Sequence, residues 1–98
     1  MKLWIDDIRP APQGWRWAKT FAQAIEILQT QPISTVSFDH DLADGEGDDG
    51  KTGYHIALWL AERAFHGILV PETYYVHSAN AVGRERIQGV IDRYLSDN

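Results

Sequence analysis

The chain reads as a single α/β domain, and three observations predict it. Short β-branched and aromatic runs alternate with stretches of helical periodicity, the pattern of a sheet layered against helices. Three of those runs end in residues that bind metal or move protons: Leu3-Trp4-Ile5-Asp6-Asp7, Val36-Ser37-Phe38-Asp39-His40-Asp41 and Tyr74-Tyr75-Val76-His77-Ser78-Ala79-Asn80. Finally, 98 residues with a hydrophobic share of 44% make one domain with a thin core. In a parallel sheet the carboxyl ends of neighbouring strands open into one crevice, where ligands bind. Four carboxylates, two imidazoles, a hydroxyl and an amide are expected to converge there.

Residues 2–6 alternate and stop at a double acid, which suits a short buried strand. Residues 7–14 carry Pro10, Pro12 and Gly14 and read as a loop. An aromatic-rich second strand is expected over 15–20, its direction left open by the short connection. Thr20 followed by Gln23 reads as a capping box opening a helix over 21–30, with Phe21, Ala24, Ile25 and Leu28 on one face. Pro32 ends it, and residues 34–39 form the next strand. Residues 43–52 are rich in Gly and Asp and read as the most mobile segment. A helix over 54–66 stacks Ile56, Leu60 and Ala64, with Gly67 as its stop. Pro71 precedes a strand over 73–77. Asn80 then caps a helix over 81–95 that buries Ile87, Val90, Ile91 and either Tyr94 or Leu95.

The formal charge of −5 argues against binding long nucleic acid, whereas a small phosphorylated ligand or an RNA end remains compatible. Acids crowd residues 39–49, and Arg84, Arg86 and Arg93 lie in the last helix. Without cysteine there is no disulfide, thiolate metal site or thiol catalysis. No apolar run reaches the roughly 18 residues of a membrane span, and the acid-bearing start is not a signal peptide. The expectation is a soluble, cytoplasmic protein, and nothing in the chain points to a particular protein partner.

Hard oxygen donors suit Mg2+ or Mn2+. Asp6, Asp7 and Asp39 are the candidate ligands, while Asp41 adds a ligand or orients an imidazole. His40, flanked by two acids, and His77, at the edge of the crevice, are the candidate proton carriers. Strand alternation sends Asp39 and Asp41 one way and His40 the other, and a buried, satisfied imidazole is the rival reading of His77. Ser78 can donate to a phosphoryl oxygen, and Asn80 caps a helix whose free N–H groups face a bound anion. Arg84 can clamp phosphate across the first turn at Gly83, and Arg9 can do likewise beside the acid pair. Trp15 and Trp17 are read as packing residues rather than a base-stacking platform.

A double acid after the first strand, an acid after a later strand and a hydroxyl after the next resembles the receiver domains of response regulators. Asp6 and Asp7 match their metal-binding acids, Asp39 the phospho-acceptor and Ser78 the hydroxyl position. The chain departs from them in two places. A Pro-rich loop replaces the first helix, and no fifth strand with its lysine follows the helix after Ser78. The closer resemblance is to the cyclic-phosphate processing receiver domains, carried by Trp4-Ile5-Asp6-Asp7-Ile8-Arg9-Pro10, Phe38-Asp39-His40-Asp41-Leu42, Val76-His77-Ser78-Ala79-Asn80 and Gly83-Arg84. It implies a minimal receiver-like (flavodoxin-like) three-layer sandwich of about four mostly parallel strands and three helices, with the strand from Leu3 central, between the segment after Trp15 and the strand ending at Asp39. It also implies action on cyclic phosphate ends, in RNA repair or on a nucleotide.

The expected activity is a metal-dependent phosphoesterase. Its rivals are a receiver-like phospho-acceptor using Asp39, which the missing lysine disfavours, and a module that senses a phosphorylated ligand. Other motifs fail on their own chemistry. Asp39-x-Asp41 lies too far into the chain for a haloacid-dehalogenase nucleophile. His40-Asp41 lacks the further histidines of helical HD phosphohydrolases. The Asp-rich loop has Ala43 and Gly50 where an EF-hand needs ligands.

Overall fold

A computed structural model describes residues 1–42 and 51–95. Four strands, β1 (Lys2–Ile5), β2 (Trp15–Ala18), β3 (Thr35–Phe38) and β4 (Thr73–Val76), form one sheet in the order β2-β1-β3-β4. All three pairings are parallel, which settles the direction of β2. Helices α1 (Phe21–Thr30) and α2 (Gly53–Phe65) follow β2 and β3, and α3 (Ala81–Val90) follows β4. The result is the small receiver-like, flavodoxin-like α/β fold expected of the sequence.

Strand alternation divides the sheet into two unlike faces. Leu3 and Ile5 of β1, Ala18 of β2 and Val36 and Phe38 of β3 are wholly buried on one face. They join Ala24 of α1, Ile56, Ala57 and Leu60 of α2, and Ile87 and Val90 of α3 in a single core. Burying a large apolar side chain of this kind stabilises by about 1.5–3 kcal/mol. Since α2 touches both α1 and α3, the three helices form one layer on that face.

On the other side of the sheet, among the described residues, the connection from β1 to β2 carries no helix. Residues 6–14 connect two parallel strands with fewer residues than the dozen or so of an ordinary crossover. They must therefore run straight back along the sheet. Asp6 fixes their start, its Oδ1 accepting from the amides of Ile8 and Arg9 at 2.8 Å each. The Trp4 indole N–H donates to the Arg9 carbonyl at 3.0 Å, and the Trp15 amide to that of Pro12 at 3.1 Å. Gly14, at φ +88°, turns the chain into β2. Trp4, Trp15 and Trp17 lie half-buried on this face.

Thr20 caps α1, its Oγ1 accepting from the Gln23 amide at 3.1 Å. The Gln23 side chain reaches back one residue further than a capping box requires, to the Lys19 amide. Asn80 caps α3 through the Gly83 amide at 3.0 Å. Beyond Val90 the last helix widens into a π-helical turn, Ile91–Leu95, which keeps both Ile91 and Leu95 in the core and leaves Tyr94 exposed. Of the segment read as mobile, residues 43–50 lie outside the described residues. Among the described residues, no helix is long and apolar enough to cross a membrane.

Candidate metal and phosphate site

The site begins one residue past the strand ends. The Asp6 amide donates to Ala18 at 3.0 Å, the Asp39 amide to Ile5 at 2.8 Å and the His77 amide to Phe38 at 2.9 Å. Each ladder is thereby extended by one bond, so Asp6, Asp39 and His77 stand in line across β1, β3 and β4. The register pairs Trp4 with Ser37, and Ser37 with Tyr75, on the face opposite the three helices. Two residues further along each strand, Asp6, Asp39 and His77 share that parity.

Asp7 joins Asp6 and Asp39, and the three carboxylates can each bring one oxygen within 4.8 Å of the others. Such a set is compatible with a hard divalent ion. Asp6 and Asp39 are buried, with 1% and 8% of their surface exposed. Burial raises the Asp39 pKa above its ordinary value, and the charge of Asp6 adds to the rise. A hydrogen bond from the Ser78 side chain, the charge of His77 and the His40 amide oppose it. Asp6 is more thoroughly held. Beyond the two amides on Oδ1, its Oδ2 accepts from His77 Nε2 at 3.1 Å and faces Arg9 Nε at 3.4 Å. These contacts engage the four lone-pair positions of a carboxylate. The half-exposed Arg9 makes the longest of the four and is the partner free to withdraw.

The two imidazoles occupy different surroundings. His77 lies over the sheet face, stacked on Trp4 with ring centroids 3.8 Å apart and planes 5° from parallel. Its Nδ1 meets Ser37 Oγ at 2.7 Å. Burial holds the His77 pKa below its ordinary value, against the hydrogen bond and charge of Asp6 and the charge of Asp39. An ionised carboxylate only accepts, so Nε2 carries the proton of the neutral ring and Nδ1 accepts from the Ser37 hydroxyl. His40 turns instead toward α3. Its Nδ1 pairs with Asp41 Oδ1 at 2.9 Å, and its ring covers Gly83, where an added Cβ would stand 2.6 Å from Cδ2. Asp41 is thus an imidazole partner on the exposed rim, outside the three-carboxylate group.

Ser78 is buried; besides its bond to Asp39, its Oγ accepts from the Asn80 amide at 3.1 Å. Arg84 folds back on the same segment, Nη1 donating to the Ser78 carbonyl at 3.3 Å. Arg84 and Asn80 therefore flank the first turn of α3, and Arg9 stands across the acid group beside Asp6. The sequence reading missed Ser37 and Trp4. Strand parity was the available signal, since Trp4 and Asp6, Ser37 and Asp39, and Tyr75 and His77 alternate onto one face. A cavity of about 430 Å3 opens at the opposite end of the sheet, beside Ser34 and Glu72, away from these groups.

A family model described as the cyclic-phosphate processing receiver domain matches residues 1–93. The chain belongs to that family. Its membership ties this receiver domain to cyclic-phosphate processing and to a phosphate-related ligand or partner. No curated protein and no solved structure matches the chain. The family match takes in every residue of the site, from Asp6 to Arg84.

Proposed function

We propose that this receiver domain is a metal-dependent phosphoesterase that opens a cyclic phosphate, at an RNA end or in a cyclic nucleotide. The observation that carries the reading is the grouping of Asp6, Asp7 and Asp39 within 4.8 Å at the carboxyl ends of parallel strands. Three hard donors, two of them buried, form an anionic cluster that Mg2+ or Mn2+ would neutralise. Asp7 and Asp39 offer oxygens directly, and Asp6 does so once Arg9 withdraws. When bound, such an ion supplies charge neutralisation at the phosphoryl oxygens and lowers the pKa of water.

The remaining tasks fall to the protein's own side chains. Ring opening forms one P–O bond to the oxygen of water, whose proton passes to a base, and breaks one P–O bond of the ring, whose oxygen takes a proton from the acid so formed. His40 is the proton carrier in this reading. Asp41 accepts from its Nδ1–H, and among the described residues Nε2 has no hydrogen-bond partner. Proton transfer by a positioned imidazole is typically worth 10²–10⁴-fold. Arg84 and the first turn of α3, capped by Asn80, face the phosphate, and Arg9 can do so after leaving Asp6. Ser78 positions Asp39 and stands near the phosphoryl oxygens.

The test is incubation of the purified protein with Mg2+ or Mn2+ and a panel of 2′,3′-cyclic and 3′,5′-cyclic phosphates, free and at RNA ends. Formation of a phosphomonoester that disappears in Asp39→Asn supports the proposal. A panel left untouched with both ions overturns it.

A further inference from the structure

We infer that Ser37 and His77 are positioning residues for Asp6, aiming its carboxylate at the metal position rather than moving protons for the reaction. This rests on the metal-dependent reading of the three-carboxylate group. The geometry is a fixed chain of two hydrogen bonds. Ser37 Oγ donates to His77 Nδ1 at 2.7 Å, and His77 Nε2 donates to Asp6 Oδ2 at 3.1 Å. Ser37 is 3% exposed, so its hydroxyl is no candidate for a nucleophile even though the order of groups mimics a Ser-His-Asp relay. With both nitrogens engaged, the His77 ring has no lone pair to offer an incoming substrate.

Rotation is blocked as well. Trp4 lies flat against the ring at 3.8 Å, and its own N–H is tied to the Arg9 carbonyl at 3.0 Å. A flip of the imidazole would set Cε1 against the Asp6 carboxylate and Cδ2 against the Ser37 hydroxyl, losing both hydrogen bonds. One orientation and one tautomer are therefore selected by three neighbours on the same sheet face. Outer partners of this kind hold metal ligands in place, and their loss typically costs about 10–100-fold in metal affinity or activity.

Mn2+ titration calorimetry on the full chain tests the inference, with wild type beside His77→Gln, His77→Leu and Ser37→Ala. The glutamine amide can replace Nε2–H toward Asp6, whereas leucine cannot. The expected result is about a 10–100-fold weaker Mn2+ affinity for His77→Leu, a smaller loss for Ser37→Ala and near-wild-type affinity for His77→Gln. A folded His77→Leu that binds Mn2+ as wild type does, or a His77→Gln that loses as much as His77→Leu, overturns the positioning role alone. Wild type that binds no Mn2+ overturns the metal reading and this inference together. A second measurement needs no variant: imidazole 15N shifts of wild type should report the Nε2–H tautomer of His77 throughout a Mg2+ titration. An Nδ1–H tautomer would overturn the inference even if His77→Leu fails to fold.

Discussion

The His77 imidazole lies on the Trp4 indole at 3.8 Å, 5° from parallel. A residue past the end of the last strand is thereby fixed to the middle of the first. Stacking of this kind contributes about 0.5–1.5 kcal/mol beyond the area it buries. It also removes water from one side of a ring whose other contacts are the Ser37 hydroxyl and the Asp6 carboxylate.

That burial makes the fold sensitive to mild acid. The His77 pKa is lowered from 6.5 because desolvation disfavours the imidazolium. Between the lowered folded value and the unfolded one, the unfolded chain binds the extra proton. The stabilising contribution is complete above about 6.5 and is lost as pH falls through the folded value. Urea unfolding from pH 7.5 to pH 5 should show falling stability, and His77→Gln should flatten that slope. An unchanged slope in the variant would assign the effect to another group.

Asp39 predicts the opposite response to losing charge. Its raised pKa means that its ionised form is penalised in the fold without an ion, chiefly by desolvation and next by Asp6 among the opposing and supporting contacts. A raised acid favours folding below its ordinary value of 3.8 and disfavours it above. Asp39→Asn keeps an acceptor for Ser78 and removes the charge. The metal-free variant should melt higher than wild type, by about 4–8 °C for each kcal/mol relieved, while Mn2+ should no longer raise its midpoint.

Arg9 is predicted to compete with the metal. Its guanidinium stands 3.4 Å from Asp6 Oδ2 and is half-exposed. Arg9→Gln removes a cation from the position an ion needs. Mn2+ should bind the variant several-fold more tightly in calorimetry, and KM for a cyclic phosphate should rise if Arg9 also meets the phosphate. Weaker Mn2+ binding would show that Arg9 holds Asp6 ready rather than blocking it.

Gly83→Ala separates the role of His40 from the fold. The new Cβ would stand 2.6 Å from His40 Cδ2 and 2.7 Å from its Cβ, so the ring must move. The helix gains propensity of up to about 1 kcal/mol from alanine, which offsets part of the cost of moving the ring. Turnover should fall by about 10²-fold or more with metal affinity retained. Turnover at the wild-type level would remove His40 from the reaction.

On the proposed reading Asp39 serves a metal rather than accepting a phosphoryl group, so the protein should not accumulate an acyl phosphate. Incubation with acetyl phosphate and Mg2+ should leave the intact mass unchanged. A stable gain of one phosphoryl group, absent in Asp39→Asn, would instead favour a signalling role.

Much of the fold was legible because β1 and β3 alternate cleanly and end in acids, and because Thr20 and Asn80 mark helix starts. The order of β1 between β2 and β3 followed from the resemblance to receivers, whereas the direction of β2 did not, since residues 6–14 are short for any parallel crossover. That no helix stands between β1 and β2 was half visible in Pro10, Pro12 and Gly14. In the site, the grouping of Asp6, Asp7 and Asp39 was legible from strand ends alone. The separation of His40 from His77 was only hinted at by alternation. It depends on Gly83 making room for one ring and Trp4 supporting the other, and neither contact is local in sequence. Ser37 was passed over because a serine inside a strand carries no signal until its neighbour across the sheet is known.

Because Asp6, Asp39 and His77 each follow directly from a strand and are tied to the strand beside it, the sheet acts as their ruler. Adjacent strands are spaced by roughly 4.8 Å, so the row measures about 10 Å from end to end. That span is imposed by backbone hydrogen bonds and cannot be widened by exchanging side chains. On the proposed reading that span would take one phosphate with its ion, and a larger substrate would have to be met by building outward from the rim at Arg9, Asp41 and Arg84.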